Sequence, residues 1–495
     1  RSPMRGVTLW HSRTLLLLAC VVLIGGILII DYHLDKRVRR PVIYPDVLKD
    51  VDYALDAMEY LHDTQNGRAF IRPVIETEST VMEHYWGCSV DRPKKIVRPS
   101  TNHQWTKTQD FHLFSAYLDT RANSLYPRNQ AVQVLAMSFR LPNSTVYCSL
   151  HSEGRSTVVE GTVREIWQRG WDPRGDFFVP LLISCPIPHW MEGKKLSVQI
   201  STEKCGKEEE SLSVSIPPSP SPPAKVAVCV KGLDFQGDLS SNLVEWLEWQ
   251  FLFGPDTVTI YVYTVSPATE RVLRWYESQG RIELIWIDLP GEESPHVPVS
   301  RTAYMKRNRQ QKRRHELIPY NDCLYRHLNS HEYVLIVDID EIVVPQQHDN
   351  WIDLLNEAEL SANGRVISSI SMRNVFKFPR NETGVNSKIL PLYSNRIRSE
   401  RTSKRGDYGK SFSSTRSVAT VFNHFALHRL HPNVTHTLHL PERTALKLHY
   451  KSSCPVESRA ECPELTRDTV VDESLDRFAG KIEERVREVR RRIGM

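Results

Sequence analysis

Strand-like and helix-like segments alternate along the second half of the chain, and this order limits the possible folds more than any other feature. Residues 224–232, 256–264 and 281–289 are short and rich in Val and Ile, and segments with a helical pattern separate them. The helix after the first segment is predicted to end at Gly254, and the next to begin after Ser266. Strands and helices in strict turn build right-handed βαβ units, so the sequence predicts an α/β domain with a mostly parallel sheet.

The segment YVLIVDIDEIVVP, at 333–345, carries three acids inside an apolar run. Val and Ile on both sides predict one continuous strand buried on both faces, in which Asp338 and Asp340 point to the same side. Two carboxylates so close repel each other unless a positive charge lies between them. Ligands gather at the carboxyl ends of strands in open α/β sheets, so we expect a divalent metal or an active site here, with Glu341 beside it. The alternative is a strand end whose acids face water.

The regions on either side of this α/β pattern have different sequence patterns. Residues 70–216 consist of short β-branched segments between polar turns, which predicts a β-rich, sandwich-like accessory domain. The run PPSPSPP at 217–223 predicts a stiff linker before an α/β domain at 224–463. The basic run at 301–314 is predicted to be a polar loop, either a solvated surface or a segment that closes over an anionic substrate. A charged helix at 464–495 packs on this domain or mediates association, for example as a homodimer.

Residues 15–30 are uncharged and would span about 24 Å as a helix at ~1.5 Å per residue. We expect an uncleaved signal anchor in a thin membrane of the early secretory pathway, with a cytoplasmic tail at 1–14 and a stem at 31–69. A cleaved signal peptide is the alternative. Basic residues flank the segment on both sides, so the positive-inside rule alone does not set its orientation.

Glycosylation acceptor sequences and cysteines favour an oxidising lumen for the rest of the chain. Asn143, Asn381 and Asn433 each begin an Asn-x-Thr sequence. Eight of the nine cysteines lie beyond the anchor without zinc-type spacing, although reduced buried thiols are the alternative. Only the near pair Cys454–Cys462 is proposed as a disulfide. The net charge of +5 is spread along the chain, so no nucleic-acid partner is predicted.

Several short motifs, in this order along the chain, resemble glycosyltransferase family 92. They are FSAYLDTR at 114–121, AVCVKG at 227–232, YNDCLYRH at 320–327, VDIDEIVVP, KSFSS at 410–414 and LKLHYK at 446–451. The resemblance covers about residues 111–451 and implies a Rossmann-like catalytic domain of GT-A type. It also implies an inverting transfer of galactose from UDP-galactose to a glycan acceptor, forming a β-1,4 linkage on N-glycans, with Mn²⁺ or Mg²⁺. The expected location is the Golgi membrane, as a single-pass type II protein with its catalytic domain in the lumen and residues 15–30 in the bilayer.

The resemblance also implies roles for individual residues. Asp338 and Asp340 would hold the metal with His449 as a third ligand, and Glu341 would support the acids or contact the sugar. The residues expected to bind the UDP-sugar donor are Val230, Lys231 and Tyr263 at the uridine, Asp322, and Lys410 at the diphosphate. An inverting transfer needs a group that takes the proton of the acceptor hydroxyl. The candidates, among which the sequence does not choose, are Glu400, Asp407, His424, His428 and Glu442.

Two other functions remain open from the sequence. A membrane-anchored glycan-binding protein with an inactive transferase domain would fit the β-rich region. A phosphatase of the haloacid dehalogenase type also carries Asp-x-Asp after an apolar strand, but it expects Thr or Val where Ile342 stands. It also needs a Gly-Asp-x-x-x-Asp sequence, and Gly406-Asp407 is not followed by the second acid.

Overall fold

The computed structural model describes residues 93, 95–98, 102–103, 105–206, 210–255, 257–290, 308–379, 388–454 and 459–495. The predicted tail, anchor and stem lie outside these residues. Among the helices of the described ranges, none has both the length and the apolar character needed to cross a bilayer. The described residues all belong to one compact unit.

The described residues form a mixed α/β fold with long helices in the C-terminal half. The helices are α1 Ser240–Phe253, α2 Pro267–Ser278, α3 Arg309–Arg326, α4 Trp351–Ser361, α5 Pro391–Ser394, α6 Cys462–Arg467 and α7 Ala479–Ile493. The strands of the N-terminal half are β1 Lys95–Val97, β2 Asn102–His103, β3 Thr106–Lys107, β4 His112–Asp119, β5 Ala131–Phe139, β6 Val146–Ser152, β7 Arg155–Glu165, β8 Phe178–Pro186, β9 Ser197–Ser201 and β10 Glu210–Ser213. The remaining strands are β11 Ala224–Asp234, β12 Thr257–Thr264, β13 Ile282–Ile287, β14 His331–Ile336, β15 Glu341–Pro345, β16 Ile367–Lys377, β17 Ile397–Ser399, β18 Lys410–Ser414, β19 Val418–Val421, β20 Ala426–Arg429, β21 Thr435–His439, β22 Ala445–Tyr450 and β23 Thr469–Val471.

The larger sheet follows the path β15-β22-β16-β18-β14-β11-β12-β13-β2. The pairs β11–β12, β12–β13 and β11–β14 are parallel, as the alternating pattern predicts. Beyond β14 the sheet becomes mixed, because β18 pairs antiparallel with both β14 and β16. The helix boundaries follow their local signals: Ser266 caps α2 by accepting the amide of Thr269, and Gly254 ends α1 in the left-handed conformation.

Three predictions about local structure are wrong. The helix predicted at 464–495 is interrupted, because Thr469–Val471 pairs with β17 as strand β23 and divides the segment into α6 and α7. The single strand at 333–345 is two strands, β14 and β15, separated by a turn at Asp338–Asp340. The turn closes because the amide of Glu341 donates to the carbonyl of Asp338 at 2.9 Å, so the alternation of faces along a strand does not apply to the two aspartates. The polar loop predicted at 301–314 is helical from Arg309 onward, and Arg314 is buried against Asp172 at 3.2 Å. Residues 301–307 lie outside the described ranges.

The N-terminal strands form a second, mainly antiparallel sheet with the path β1-β10-β9-β6-β7-β8-β5-β4-β3. The sheet curls back on itself, since Ser215, just after β10, exchanges backbone hydrogen bonds of 2.8 Å with Ala116 and Leu118 of β4. Apolar side chains from both halves fill its interior. A separate hydrophobic cluster joins the two sheets, because Phe114 and Leu135 of the N-terminal sheet pack with Cys229 and with side chains of α3.

Three disulfides cross-link the described residues, and they include the proposed pair Cys454–Cys462, which is confirmed. Cys148–Cys185 lies within the N-terminal sheet, and Cys229–Cys323 ties β11 to α3. At the C-terminus, α7 packs on α1 through Ile482, Val486 and Val489, which recur on one helical face. The Cys229–Cys323 disulfide thus fixes β11, in the parallel part of the sheet, to α3.

Candidate active site

The site lies where the order of the parallel strands reverses. The chain moves outward from β11 to β12 and β13, and then returns to place β14 on the other side of β11. In open α/β sheets the crevice at such a reversal, beyond the carboxyl ends of the strands, is the usual ligand site. The last pairing between β11 and β14 is Cys229 with Ile336, so Lys231 and Asp338 lie just beyond the end of this pairing. The turn after β14 therefore faces this crevice.

Asp338 is held by two lysines from neighbouring strands. Its Oδ1 lies 3.1 Å from the Lys231 Nζ, and its Oδ2 lies 3.6 Å from the Lys410 Nζ. Lys231 belongs to a β-bulge in β11, where two residues oppose one of β12, and such bulges redirect side chains. Burial alone would raise the pKa of Asp338, but Lys231 and Lys410 hold it well below its usual value. Asp338 is therefore ionised and paired.

Glu341 is almost fully buried beneath the turn. Its Oε1 lies 2.6 Å from the Lys447 Nζ, its Oε2 lies 3.3 Å from the Lys410 Nζ, and Oε2 also accepts the amide of Asp338 at 3.0 Å. Burial opposes the ionised form, yet Lys410 and Lys447 lower the pKa of this carboxyl below its ordinary range. Glu341 therefore organises the turn from below and orients two lysines toward it.

Asp340 lies at the accessible edge of the site, and His449 is buried beside it. The Asp340 Oδ2 lies 2.6 Å from the Lys451 Nζ, and both side chains are about one third exposed, at 36% and 30%. His449 stands opposite Glu341 in the antiparallel pair of β15 with β22. Its Nε2 is buried, has no hydrogen bond, and lies 3.7 Å from the Asp340 Oδ2 and 3.6 Å from the Glu341 Oε1. Burial and the neighbouring Lys447 lower the pKa of His449, so its ring is neutral near pH 7.

These atoms bear on whether a divalent metal fits the site. A neutral imidazole nitrogen without a partner and a carboxylate oxygen nearby are suitable ligands for Mn²⁺. Both oxygens of Asp338 face lysines, so in this geometry the carboxylate of Asp338 is engaged elsewhere. Within the described ranges, no group of three or more His, Cys, Asp and Glu side chains is arranged to hold an ion. Asp340 and His449 therefore fit a metal once Lys451 leaves the Asp340 carboxylate, and the predicted three-ligand set with Asp338 stays a prediction.

Of three other residues expected to bind the donor, two are enclosed in the protein interior and one is half-buried near the site. Val230 is buried in the core between the sheet and its helices. Asp322, on α3, is fully buried and accepts hydrogen bonds from Tyr117 and Tyr261 at 2.8 and 2.6 Å, so it serves the packing of α3. Tyr263 is half-buried at the end of β12, and its ring covers Gly232, where a Cβ atom would lie 2.3 Å from the ring. Its predicted contact with uridine remains compatible with this position.

The candidates for the catalytic base differ in their hydrogen bonds, ion pairs and exposure. Glu442 is bound by Arg373 and accepts from the Thr402 hydroxyl at 2.6 Å. The His424 Nδ1 is 2.6 Å from the carbonyl of Gly409, and burial, helped by Lys410, lowers its pKa to about 3. The His428 ring contacts the Thr420 hydroxyl at 2.6 Å, and Glu400 is exposed. Asp407 is exposed in the segment between β17 and β18.

Sequence reasoning missed several residues of the site. Lys447 and Lys451 flank His449 at two-residue spacing; Lys447 and His449 lie on one face of β22, and Lys451 directly follows the strand. That spacing could have identified both lysines. Glu316, 3.2 Å from the Lys231 Nζ, and Asn423, which accepts from the Lys410 Nζ at 2.5 Å, come from a helix and a hairpin tip whose local sequences give no such signal.

The fold and this site define an α/β protein with a charged crevice, suited to an anionic ligand, at the reversal point of its sheet. The model of glycosyltransferase family 92 matches residues 224–489, which is more than half of the chain. The chain belongs to glycosyltransferase family 92.

Two individual proteins also match. A Caenorhabditis elegans protein described as a glycosyltransferase family 92 protein is 24% identical over 208 residues, which are 41% of this chain and 39% of that protein. The chain thus spans about two fifths of the length of this curated relative. A crystal structure of S. aureus TarS, residues 1–349, matches at 15% identity over 33% of this chain and 38% of that chain, with a TM-score of 0.19.

Proposed function

We propose that this chain is an inverting glycosyltransferase that moves galactose from UDP-galactose to a glycan and forms a β-1,4 linkage, with a divalent metal at the crevice. Family membership supports a glycosyltransferase. The observation that carries the proposal is the charged turn at Asp338–Glu341, which lies at the reversal point of the sheet and is surrounded by four lysines.

The lysines suit the departure of a diphosphate. When the bond between the sugar and UDP breaks, negative charge develops on the phosphate oxygens, and fixed positive groups stabilise it. Lys231 and Lys451 are partly exposed, at 26% and 30%, so they can contact the diphosphate directly. Lys410 and Lys447 are fully buried, and they act on it only through their charge and by holding the turn.

The metal would be held by Asp340 and His449. A bound divalent ion supplies additional positive charge to the leaving diphosphate without a proton transfer. His449 is prepared for this role because its ring is neutral and its Nε2 has no other partner. Asp340 would have to release Lys451, and the partial exposure of both side chains allows that exchange.

The setting of the enzyme is part of the same proposal. We infer a GT-A type catalytic domain in the Golgi lumen, anchored in the bilayer by residues 15–30. The disulfides are consistent with an oxidising compartment, and Asn143 and Asn433 are exposed, as glycosylation requires. The partners would be a UDP-sugar, a glycan acceptor on a glycoprotein and, in a homodimer, a second copy of the chain.

A panel of donors tests the activity. The full-length chain is incubated with UDP-galactose, UDP-glucose or UDP-N-acetylglucosamine, mixed N-glycans and Mn²⁺, and products are identified by mass and linkage. We expect transfer from UDP-galactose, loss of transfer in Asp340→Asn, and normal transfer in the control Asp349→Asn, whose acid is 80% exposed and remote from the turn. Glycan binding that is indifferent to UDP and Mn²⁺, without transfer from any donor, would instead identify a glycan-binding protein.

A further inference from the structure

The hairpin formed by β19 and β20 is anchored at its base by residues that follow β4 in the N-terminal half of the chain. The Arg121 guanidinium donates to the carbonyl of Thr415 and, at 2.8 Å, to that of Val418, on the leg that enters the hairpin. On the leg that leaves it, the amide and the hydroxyl of Ser124 each donate to the carbonyl of Leu430 at 3.0 Å. Both legs of the hairpin are therefore held from outside the α/β half.

Aromatic rings from the same N-terminal half pack on the tip of the hairpin. The Trp171 ring meets the Phe422 ring edge-on at a centroid distance of 4.9 Å, and it lies 6.4 Å from the His424 ring. The Trp167 ring packs on Phe422 at 5.8 Å. The tip itself is a tight turn, because the amide of Phe422 donates to the carbonyl of Phe425 at 2.8 Å. The hairpin is thus fixed at its base and at its tip.

The tip makes three hydrogen bonds with successive residues at the start of β18. The Lys410 Nζ donates to the Asn423 Oδ1 at 2.5 Å. On either side of this bond, the His424 Nδ1 donates to the carbonyl of Gly409 at 2.6 Å, and the Ser411 hydroxyl donates to the carbonyl of His424 at 2.7 Å. The hairpin therefore holds both the backbone around Lys410 and its charged end.

The hydrogen bond to Asn423 sets the distance between Lys410 and the acidic turn. The Lys410 Nζ lies 3.3 Å from the Glu341 Oε2 and 3.6 Å from the Asp338 Oδ2. The second distance exceeds hydrogen-bond length, so Lys410 attracts Asp338 through charge alone. Without Asn423 the buried ammonium group would lose its acceptor at 2.5 Å and would move into contact with Asp338, because a buried donor without a partner is costly.

Such a contact would take the Asp338 carboxylate away from a cation. The Asp338 side chain is 17% exposed, so an ion in the crevice can reach it. A charge-assisted hydrogen bond from Lys410 would have to break before the ion could bind, whereas at the present separation the ion competes only with a weaker attraction. The hydrogen bond between Lys410 and Asn423 therefore favours the binding of an ion.

We propose that the β19–β20 hairpin is a positioning element of the metal site. Asn423 holds Lys410 outside hydrogen-bond range of Asp338 and so keeps that carboxylate available to a divalent ion, while Arg121 and Trp171 fix the hairpin from the N-terminal half of the chain. The inference rests on the proposed function, because it concerns the metal of the same crevice. It gives the N-terminal sheet a part in the active site that involves no glycan.

Electron paramagnetic resonance of free Mn²⁺ with the full-length chain, without donor or acceptor, tests the role of Asn423. Asn423→Leu keeps the size of the side chain and removes its polar atoms, and it should raise the Kd for Mn²⁺ about tenfold, the factor expected for a hydrogen bond to a charged group. Asn423→Asp keeps an acceptor for Lys410, so its Kd should equal or fall below that of the parent. The control is Asn329→Leu, because Asn329 is half-buried before β14, donates to the carbonyl of Pro217 at 3.5 Å, and should not affect the Kd.

Trp171→Leu tests whether the N-terminal half acts through the hairpin. Trp171 is 47% exposed, so its replacement leaves the hydrophobic core intact. The Kd for Mn²⁺ should rise, but by less than in Asn423→Leu. In the Asn423→Leu background the same change should add nothing, because the hydrogen bond that Trp171 supports is already absent. Effects that multiply in the double variant would contradict this link.

The remaining outcomes separate the inference from the proposed function. A Kd for Asn423→Leu equal to that of the parent overturns the inference, and so does a Kd for Asn423→Asp as high as that of Asn423→Leu. Calorimetric titration of UDP without metal should give the same affinity for Asn423→Leu as for the parent, because the charge of Lys410 remains. An equal loss of UDP and Mn²⁺ affinity would show a general disturbance of the crevice and would also overturn it. Failure of the parent to bind Mn²⁺ contradicts the metal of the proposed function itself.

Discussion

Replacing Lys451 with methionine should strengthen the binding of Mn²⁺, because the Lys451 amine occupies the carboxylate that the ion needs. The Nζ atom lies 2.6 Å from the Asp340 Oδ2, on the side where the unpaired His449 Nε2 stands 3.7 Å away. Among the four lysines around the turn, Lys451 is the most exposed, so it can leave without exposing the core. Lys451→Met keeps most of the apolar stem of the side chain and removes only the competing charge.

Two contributions set the size of the effect. An ion pair that is about one third exposed is worth about 0.5 kcal/mol, and the ion no longer has to displace it. The lysine charge would also repel a bound divalent ion, which at about 5 Å in nearly aqueous surroundings costs on the order of 1 kcal/mol after screening by salt. Together these terms predict a decrease in the Kd for Mn²⁺ of about tenfold.

Electron paramagnetic resonance of free Mn²⁺ measures this Kd without donor, acceptor or turnover. The matched control is Lys194→Met, since Lys194 is 32% exposed and pairs with Glu153 at 3.4 Å, and both residues lie in loops between strands of the N-terminal sheet. The control should leave the Kd unchanged, and Asp340→Asn should weaken binding beyond detection in both backgrounds. A Kd for Lys451→Met that equals or exceeds that of the parent would refute the reasoning that the lysine and the ion share one carboxylate.

Three further predictions concern stability, measured as the free energy of unfolding in urea. Asp338→Asn removes one of the two carboxylates that pair with each of Lys231 and Lys410 and should cost about 2–4 kcal/mol, whereas Asp340→Asn, at the exposed edge, should cost under about 1 kcal/mol. Equal costs would contradict the geometry. Burial raises the pKa of Glu245 from 4.5 to about 7, so between these pH values the folded state binds a proton that the unfolded state has released. The free energy of unfolding of the parent should therefore fall by about 3 kcal/mol from pH 4.5 to 7, relative to that of Glu245→Gln. Parallel pH profiles of the two proteins would refute this. A disulfide stabilises the folded state by restricting the unfolded chain, and the effect grows with the length of the closed loop. Removing Cys229–Cys323, which are 94 residues apart, should therefore cost about 2 kcal/mol more than removing Cys454–Cys462, which are 8 apart. Equal losses would contradict this argument.

The parallel part of the sheet was predictable because its signals are local. Apolar segments of strand length, the cap at Ser266 and the glycine at Gly254 each act within a few residues, so the sequence contains them in full. The mixed half of the sheet was not predictable in the same way. Its strands β16, β18 and β22 pair across long stretches of chain, and no local pattern states which edge each one joins.

The acidic residues of the site were predictable, but their geometry was not. An alternating pattern treats residues 333–345 as one strand, yet the carboxylate of Glu341 takes the amide of Asp338 and closes a turn. The choice between strand and turn depends on buried lysines that arrive from β18 and β22. Those lysines are remote in sequence, so the sequence of residues 333–345 alone does not show whether the segment forms a strand or a turn.

The balance of charge explains how such a site can fold before any ligand arrives. Buried carboxylates without counter-charges would cost several kcal/mol each, and a site built only for a metal would carry that cost whenever the metal is absent. Here Lys410 and Lys447 are buried with Glu341 and offset it permanently, while Lys451 and Asp340 share a pair that solvent can reach. The buried pairs keep the turn in place, and the exposed pair can open. A ligand that carries negative charge can therefore attract Lys451 at the same step at which a cation attracts Asp340, and each exchange favours the other because it frees the opposite charge.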